Sequence, residues 1–444
     1  MPPAKTLRDA YHACDPRPLP SGDPYFVDLT KARGSTATLK LKQMIENCNP
    51  NQYSPIAFSG HRGCGKSTEL RQLENVLREF CFTLYLDVQE SLDPLDVDYT
   101  DLFPLVCRQL LDALGKVGVA LSPNLLRGVE NWFREVTKET EQSVELSAGV
   151  EAGAEARFEI PFVSKLWAKL TADVRTGSAT KTTTRQKLDN EFSGLLANTN
   201  LLLASASEAL QKAGRPCQLL ILYDNLDRMP PEKSDRLFFD HGAQIQGMKC
   251  HAVYTVSIDT YYSGRGLGNV FPGRLILPNV KLRAGRSDVQ ANRAGMDGLR
   301  GVIDQRIDVS ALLAPPSLAE EFVKLSGGSV RQLVRLLAEA VLSAQTRRLD
   351  AIDDEALHDA AGALRQDFER MLAPADYLAL ARTAKTKKIE KEDAYMHLLR
   401  NLAVLEYNGR ELWHDVNPLI EPIHAFQELV KKRRSGRRPR SSRG

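Results

Sequence analysis

The sequence predicts an α/β core, a parallel sheet flanked by helices, followed by a helical segment and a small module that ends in a hairpin. Three observations carry this. An apolar strand, a glycine-rich turn and an amphipathic helix follow one another over residues 55–79. A continuous apolar run, Leu219-Leu220-Ile221-Leu222-Tyr223, ends on Asp224, the pattern of a strand buried on both faces. Far downstream, helical patterning gives way to two short apolar runs over 402–414, joined through Asn408-Gly409, a strong hairpin signal.

The chain has 444 residues, more than one core usually holds, so two or three domains are expected. With 43% hydrophobic and 26% charged residues, wholesale disorder is excluded. No apolar run exceeds five residues, so no transmembrane helix and no membrane partner are expected. The first residues lack the apolar core of a secretory signal, so the expected location is cytoplasmic. Seven cysteines without a CxxC pair and eight histidines without metal-ligand spacing argue against a disulfide framework or a zinc site. The net charge is +3, yet eight cations and no acid lie between Lys431 and Arg443; without those eight the rest of the chain stands at −5. The body is therefore mildly acidic. Two readings of the basic tail stay open, a solvated terminus and a contact with phosphates or an acidic partner.

The first element of the core is Pro55-Ile56-Ala57-Phe58-Ser59, followed by Gly60-His61-Arg62-Gly63-Cys64-Gly65-Lys66-Ser67-Thr68. The spacing Gly60-x-x-x-x-Gly65-Lys66-Ser67 matches the Walker A pattern in full. Glycines at 60, 63 and 65 let the chain wrap inward, so that backbone N–H groups from residues 60–68 point at a β-phosphate. Lys66 reaches the β- and γ-phosphates and Ser67 offers a hydroxyl to Mg²⁺, so ATP and Mg²⁺ are the expected ligands. Leu70, Leu73, Val76 and Leu77 are expected on one face of the helix that follows, and its N-terminus aims a dipole at the phosphates. Such a site needs an apolar strand ending in an acid, and Asp224 is that residue on the metal side. Asp227 is the candidate for orienting the attacking water. The competing reading, in which Asp227 and Arg228 cap the next helix, stays open.

Asp224-Asn225-Leu226-Asp227-Arg228 resembles the Walker B of the STAND and KAP branches of P-loop NTPases, where an acid sits downstream instead of adjacent. The loop from Gly60 to Leu70 is similar to bacterial AAA+/STAND ATPases related to origin-recognition initiators. The resemblance implies an α/β P-loop NTPase core with an α-helical lid and a C-terminal winged-helix-like domain. It implies that the segment from Asp23 to Gly34 receives the adenine, and that strand 250–257 lies between the Walker strands as the sensor strand. There Thr255 or Ser257 would feel the γ-phosphate, against a plain sheet role. Many AAA+ proteins carry a glutamate where this chain has Asn225, which keeps a weakly hydrolysing scaffold in view. Arg265 and Arg274 stand where such proteins often present an arginine to a neighbouring subunit; simple solvation is the other reading. Arg331, in the first turn after Ser326-Gly327-Gly328-Ser329, resembles the sensor-2 arginine. With Lys66 it would hold the γ-phosphate.

The expected organisation is a segment 1–50 leading into the nucleotide pocket, a core 51–310 with an insertion near 140–185, a lid 311–369, a winged-helix-like domain 370–428 and a basic disordered tail 429–444. The presumed winged-helix reader, 391–400, mixes Glu392 and Asp393 with Lys391, His397 and Arg400, a poor composition for the major groove. The resemblance implies an ATP-hydrolysing switch that self-associates or signals to a separate effector protein, as in bacterial conflict systems such as phage defence. Two alternatives remain: a DNA-binding loader or transposition-type regulator using the tail or wing, and a nucleotide-binding scaffold.

Overall fold

A computed structural model describes residues 2–49, 52–137, 179–288, 290–390, 393–408 and 411–435. The chain divides into two compact units. One comprises Thr38–Ser59 and Leu73–Leu275; the other Met1–Ala37, Gly60–Gln72 and Ile276–Gly444.

The first of these is the α/β layer. Its strands are β1 (Pro55–Ser59), β2 (Cys81–Asp87), β3 (Gln218–Asp224), β4 (His251–Val256) and β5 (Gly273–Ile276), in the order β2-β3-β4-β1-β5. The pairings β2 with β3, β3 with β4 and β4 with β1 are parallel. Thus β4 lies between the strand that precedes the glycine loop and the strand that ends in Asp224, as expected. All six residues of β4 are buried, and so are all of β3 after Gln218. Helices Tyr99–Lys116 and Phe192–Lys212 cover the sheet with Leu102, Phe103, Val106, Leu110, Leu202 and Leu203. Burial on both faces, with Ile221 and Tyr223 on one and Leu220 and Leu222 on the other, explains why β3 reads as an unbroken apolar run and not as an alternation. Tyr223 and Tyr254 stack across β3 and β4 with ring centroids 4.8 Å apart. Asp98 caps helix Tyr99–Lys116 in a reciprocal capping box with Asp101.

The second unit has its own core. Helices Arg293–Asp304, Leu318–Leu325, Val330–Thr346 and Asp354–Met371 bury Leu299, Phe322, Leu333, Leu337 and Leu357, with Leu7 and Ala10 of helix Leu7–Ala13. Helix Val330–Thr346 starts where the sequence placed it, with Ser329 as its N-cap. Next come helices Pro374–Thr386 and Asp393–Arg400 and an antiparallel hairpin of β6 (Val404–Tyr407) and β7 (Trp413–Val416). Tyr407 and Trp413 stack across it at 4.2 Å. Helix His424–Ser435 carries the first part of the basic run, while the rest of that run, 436–444, lies outside the described residues. So does most of the expected insertion, 140–178; its last part belongs to helix Ala179–Asn190.

Two sequence expectations need correcting: the tail expected to be disordered from 429 is helical as far as Ser435, and one residue of the helix after the glycine loop lies off its apolar stripe. In helix Lys66–Leu77, Leu70, Leu73 and Leu77 are buried but Val76 is 55% exposed. At ~100° per residue Val76 falls to the side of the stripe that Leu70, Leu73 and Leu77 share.

Candidate functional site

Some of the residues singled out in the sequence belong to one unit and some to the other, and the two sets are built differently. In the unit that holds the glycine loop, the backbone turns sharply at Gly63 and Gly65, with φ of 80° and 107°. At Gly63 a side chain is excluded twice over: the positive φ disfavours it, and a Cβ there would lie 2.4 Å from the Cβ of Arg331. The Arg331 N–H also donates to the Gly63 carbonyl at 3.2 Å. The loop therefore rests against the first turn of helix Val330–Thr346.

Lys66 is 5% exposed, and its ammonium donates to the carbonyls of Gly60 at 2.8 Å and His61 at 3.1 Å. The side chain thus folds back across its own loop, with main-chain carbonyls as acceptors. Thr68 Oγ1 accepts from the Leu19 N–H, tying the upstream segment to this turn. Cys64 is buried, Arg62 exposed and Ser67 intermediate.

His61 goes where the sequence gave no sign. Its buried ring accepts at Nε2 from the Glu406 N–H at 2.8 Å, which leaves Nδ1 to donate to the Leu399 carbonyl at 3.1 Å. Burial first, then the Lys66 charge, pushes the imidazole down to about 3, so it is neutral near pH 7. The loop is thereby bonded to helix Asp393–Arg400 and to β6. His414, opposite Glu406 on β7, is pushed down to about 4 by burial. Tyr407 Oη donates to the Gly327 carbonyl at 2.5 Å, and Gln332 and Asn417 exchange side-chain hydrogen bonds at 2.8 and 3.1 Å.

In the α/β unit, Asp224 ends β3 with 1% exposure. Its Oδ2 accepts from Tyr85 Oη at 2.5 Å and its Oδ1 from the Asn225 N–H at 2.9 Å. Asn225 is left-handed, φ 65°, and its amide donates to Asp87 Oδ1 at 2.8 Å. The position next to Asp224 thus carries an amide and no carboxylate, and the bond of that amide to Asp87 fixes the turn. Asp227 sits 9% exposed in the 3₁₀ turn Leu226–Arg228. Thr255 staples the turn, accepting from the Leu226 N–H at 3.0 Å and donating to the Tyr223 carbonyl at 3.1 Å. Ser257 Oγ lies 2.8 Å from Thr260 Oγ1.

The two loop arginines differ. Arg265 pairs with Asp240 at 2.6 Å and lies over the Phe239 ring. Arg274 is exposed, its guanidinium against Gly268. No cluster of three His, Cys, Asp or Glu among the described residues is arranged to hold a metal alone. Mg²⁺ with a nucleotide needs no such cluster, since phosphates and water supply most of its ligands. Asp224 fits that demand as a buried carboxylate oriented by the Tyr85 hydroxyl and the Asn225 N–H. Nothing in the sequence singles out Tyr85 or Asp87, since their partners Asp224 and Asn225 lie 139 and 138 residues away.

No protein-family model matches the chain, and no curated protein matches it. Among solved structures it is similar to Cdc6p from Pyrobaculum aerophilum, at 11% identity and TM-score 0.40 over 95% of this chain and 98% of that one. It is similar to the Aeropyrum pernix ORC2 protein at 11% identity and TM-score 0.42 over 96% and 98%. The Thermotoga maritima RuvB Holliday junction branch migration motor gives 11% and 0.37 over 90% and 95%. At that distance functional assignment rests on this chain's own residues.

Proposed function

We propose that the chain is an ATP-binding, ATP-hydrolysing switch of the AAA+/STAND type. The observation that carries the reading is the formed glycine loop: Gly63 and Gly65 at positive φ, with Lys66 directly after them at the start of helix Lys66–Leu77. Its main-chain N–H groups suit a phosphate chain, and the helix start favours negative charge.

Lys66 then exchanges two carbonyl acceptors for phosphate oxygens, a stronger, charge-assisted contact. Ser67 and Asp224 would hold Mg²⁺, which supplies charge neutralisation on the phosphates when bound. Asp224 is held ready by Tyr85 and by its own turn, so little reorganisation precedes its use. Asp227 would orient the water, and Arg331, already bonded through its backbone to the loop, would respond to the γ-phosphate. In this reading 311–369 acts as a lid and 370–428 as a winged-helix-like output module. Loss of the γ-phosphate would alter the loop and, through His61, the hairpin bonded to it. Self-association and signalling to a separate effector complete the proposal, with Arg265 and Arg274 as candidates to act on a neighbouring copy.

The test is ATP titration and phosphate release with wild type and Lys66→Ala, paired with light scattering in ATP, ADP and no nucleotide. Binding and turnover lost in Lys66→Ala support the reading. Equal behaviour of the two proteins sinks it. A mass that does not change with nucleotide removes the self-association part.

A further inference from the structure

Arg33 is the last residue of the short helix Thr30–Arg33, which closes on left-handed Gly34. It is 3% exposed. Its Nη1 donates to the Pro278 carbonyl at 2.8 Å and its Nη2 to the Cys64 carbonyl, inside the glycine loop, at 2.7 Å. A Cβ on Gly65 would sit 3.2 Å from Nη2, so the guanidinium lies directly against the loop. Its Nε is buried without an acceptor. No carboxylate forms an ion pair with it among the described residues. Asp28 feels its charge, but only as the weakest of several influences on that carboxyl, the hydrogen bonds to Thr30 coming first.

A guanidinium cannot shed its proton near neutral pH, and burying one without a carboxylate is costly. Two main-chain carbonyls supply partial charges only. The cost is offset when an anion occupies the loop whose backbone the guanidinium touches. Both Nη atoms are committed to carbonyls, which argues against a role in reading a base edge. We propose that Arg33 is a positioning residue for a bound polyphosphate: it braces the glycine loop through Cys64 and supplies the buried counter-charge for the phosphate chain of a nucleoside di- or triphosphate. The inference rests on the nucleotide reading above and adds a residue outside the Walker motifs.

The experiment uses the full chain and calorimetric titration with ATP, tripolyphosphate and adenosine, for wild type, Arg33→Met, Arg33→Lys and Lys66→Ala. Arg33→Met should weaken ATP and tripolyphosphate by about 10- to 100-fold and leave adenosine unchanged, the scale set by losing one supporting charged contact. Arg33→Lys keeps the charge but reaches only one carbonyl, so it should recover part of that loss. A general packing role would lower the melting temperature and weaken all three ligands together; that pattern overturns the proposal. Should Arg33→Met not fold, Arg33→Lys decides: a selective loss for the two phosphate ligands supports the proposal, while no loss, or an equal loss that includes adenosine, overturns it. If Lys66→Ala loses ATP while the Arg33 variants bind like wild type, only the Arg33 inference falls. If wild type binds neither ATP nor tripolyphosphate, the nucleotide reading falls and takes this one with it.

Discussion

The glycine-loop residues of one unit and the acid-bearing turn of the other are bonded through different kinds of partner. In the loop half, the cations Lys66 and Arg33 donate to main-chain carbonyls: Gly60, His61, Cys64 and Pro278. Each of those carbonyls is a neutral partner that an anion can outcompete. The acid half is wired through side chains. Tyr85 and the turn amide hold Asp224, Asn225 holds Asp87, and Thr255 holds the turn between them. One half is arranged for exchange and the other for fixed geometry. This division suits an anion-binding loop used together with a preorganised acid, because only the loop must change partners on binding.

The largest expected effect breaks the two halves apart by function. Lys66→Ala should abolish measurable ATP binding, since it removes the cation proposed to start the exchange. Asp224→Asn should still bind ATP but lower phosphate release by about 100-fold or more, the scale of losing one preorganised electrostatic group. Parallel loss of binding in both variants would show that the halves do not divide the work in this way. Titration calorimetry and a phosphate-release assay separate the outcomes.

Acidification sharpens the comparison, since it strikes the loop half through His61. The folded imidazoles of His61 and His414 are held down, to about 3 and about 4, from an ordinary 6.5. The sign follows from which state takes the proton. Below 6.5 the unfolded chain binds protons that the folded chain refuses, so the contribution is fully present above 6.5 and is lost as pH falls toward 4. Each histidine should lower stability by up to about 1.4 kcal/mol per pH unit in that window. Urea unfolding at several pH values measures it. His61→Gln should remove about half of this histidine slope; an unchanged slope would mean the ring does not stay neutral and bonded to Leu399 and Glu406.

How much of this could be read from the sequence follows from how local each signal is. Gly60, Gly65, Lys66 and Ser67 are fixed by spacing within one turn, so they were legible, and the apolar run before Asp224 was legible because a doubly covered strand has no alternation to hide it. The hairpin of β6 and β7 announced itself through Asn408-Gly409. The wiring did not. His61 meets Leu399 and Glu406 across 338 and 345 residues, and Tyr85 meets Asp224 across 139. No local pattern marks a histidine whose partners are a remote carbonyl and a remote amide. Val76 failed for a smaller reason: a one-residue difference in helical phase separates a stripe from its flank.

Tyr85→Phe gives a smaller effect and tests the fixed half directly. It removes one donor from the buried Asp224 carboxylate and leaves the Asn225 N–H in place. Stability should fall by about 1–2 kcal/mol, the scale of leaving a buried acceptor short of one bond. Turnover should drop by about tenfold at unchanged ATP affinity, because the carboxylate loses orientation and not charge. A lost affinity instead would place Tyr85 on the side of exchange and blur the division.

The smallest effect decides what Thr255 does. Its hydroxyl is already occupied twice, accepting from the Leu226 N–H and donating to the Tyr223 carbonyl, which makes it a staple for the turn that carries Asp227. Thr255→Val keeps shape and burial but removes both bonds, so a loss of about 1 kcal/mol is expected, with phosphate release lowered a few-fold through a looser Asp227. A hydroxyl that sensed the γ-phosphate would behave differently: Thr255→Val would then leave ADP binding alone and weaken ATP selectively. Equal loss for ATP and ADP, or none for either, keeps Thr255 structural. The sensing role would then move to Ser257, whose hydroxyl, among the described residues, bonds the Thr260 hydroxyl and so gives up less on turning toward a ligand.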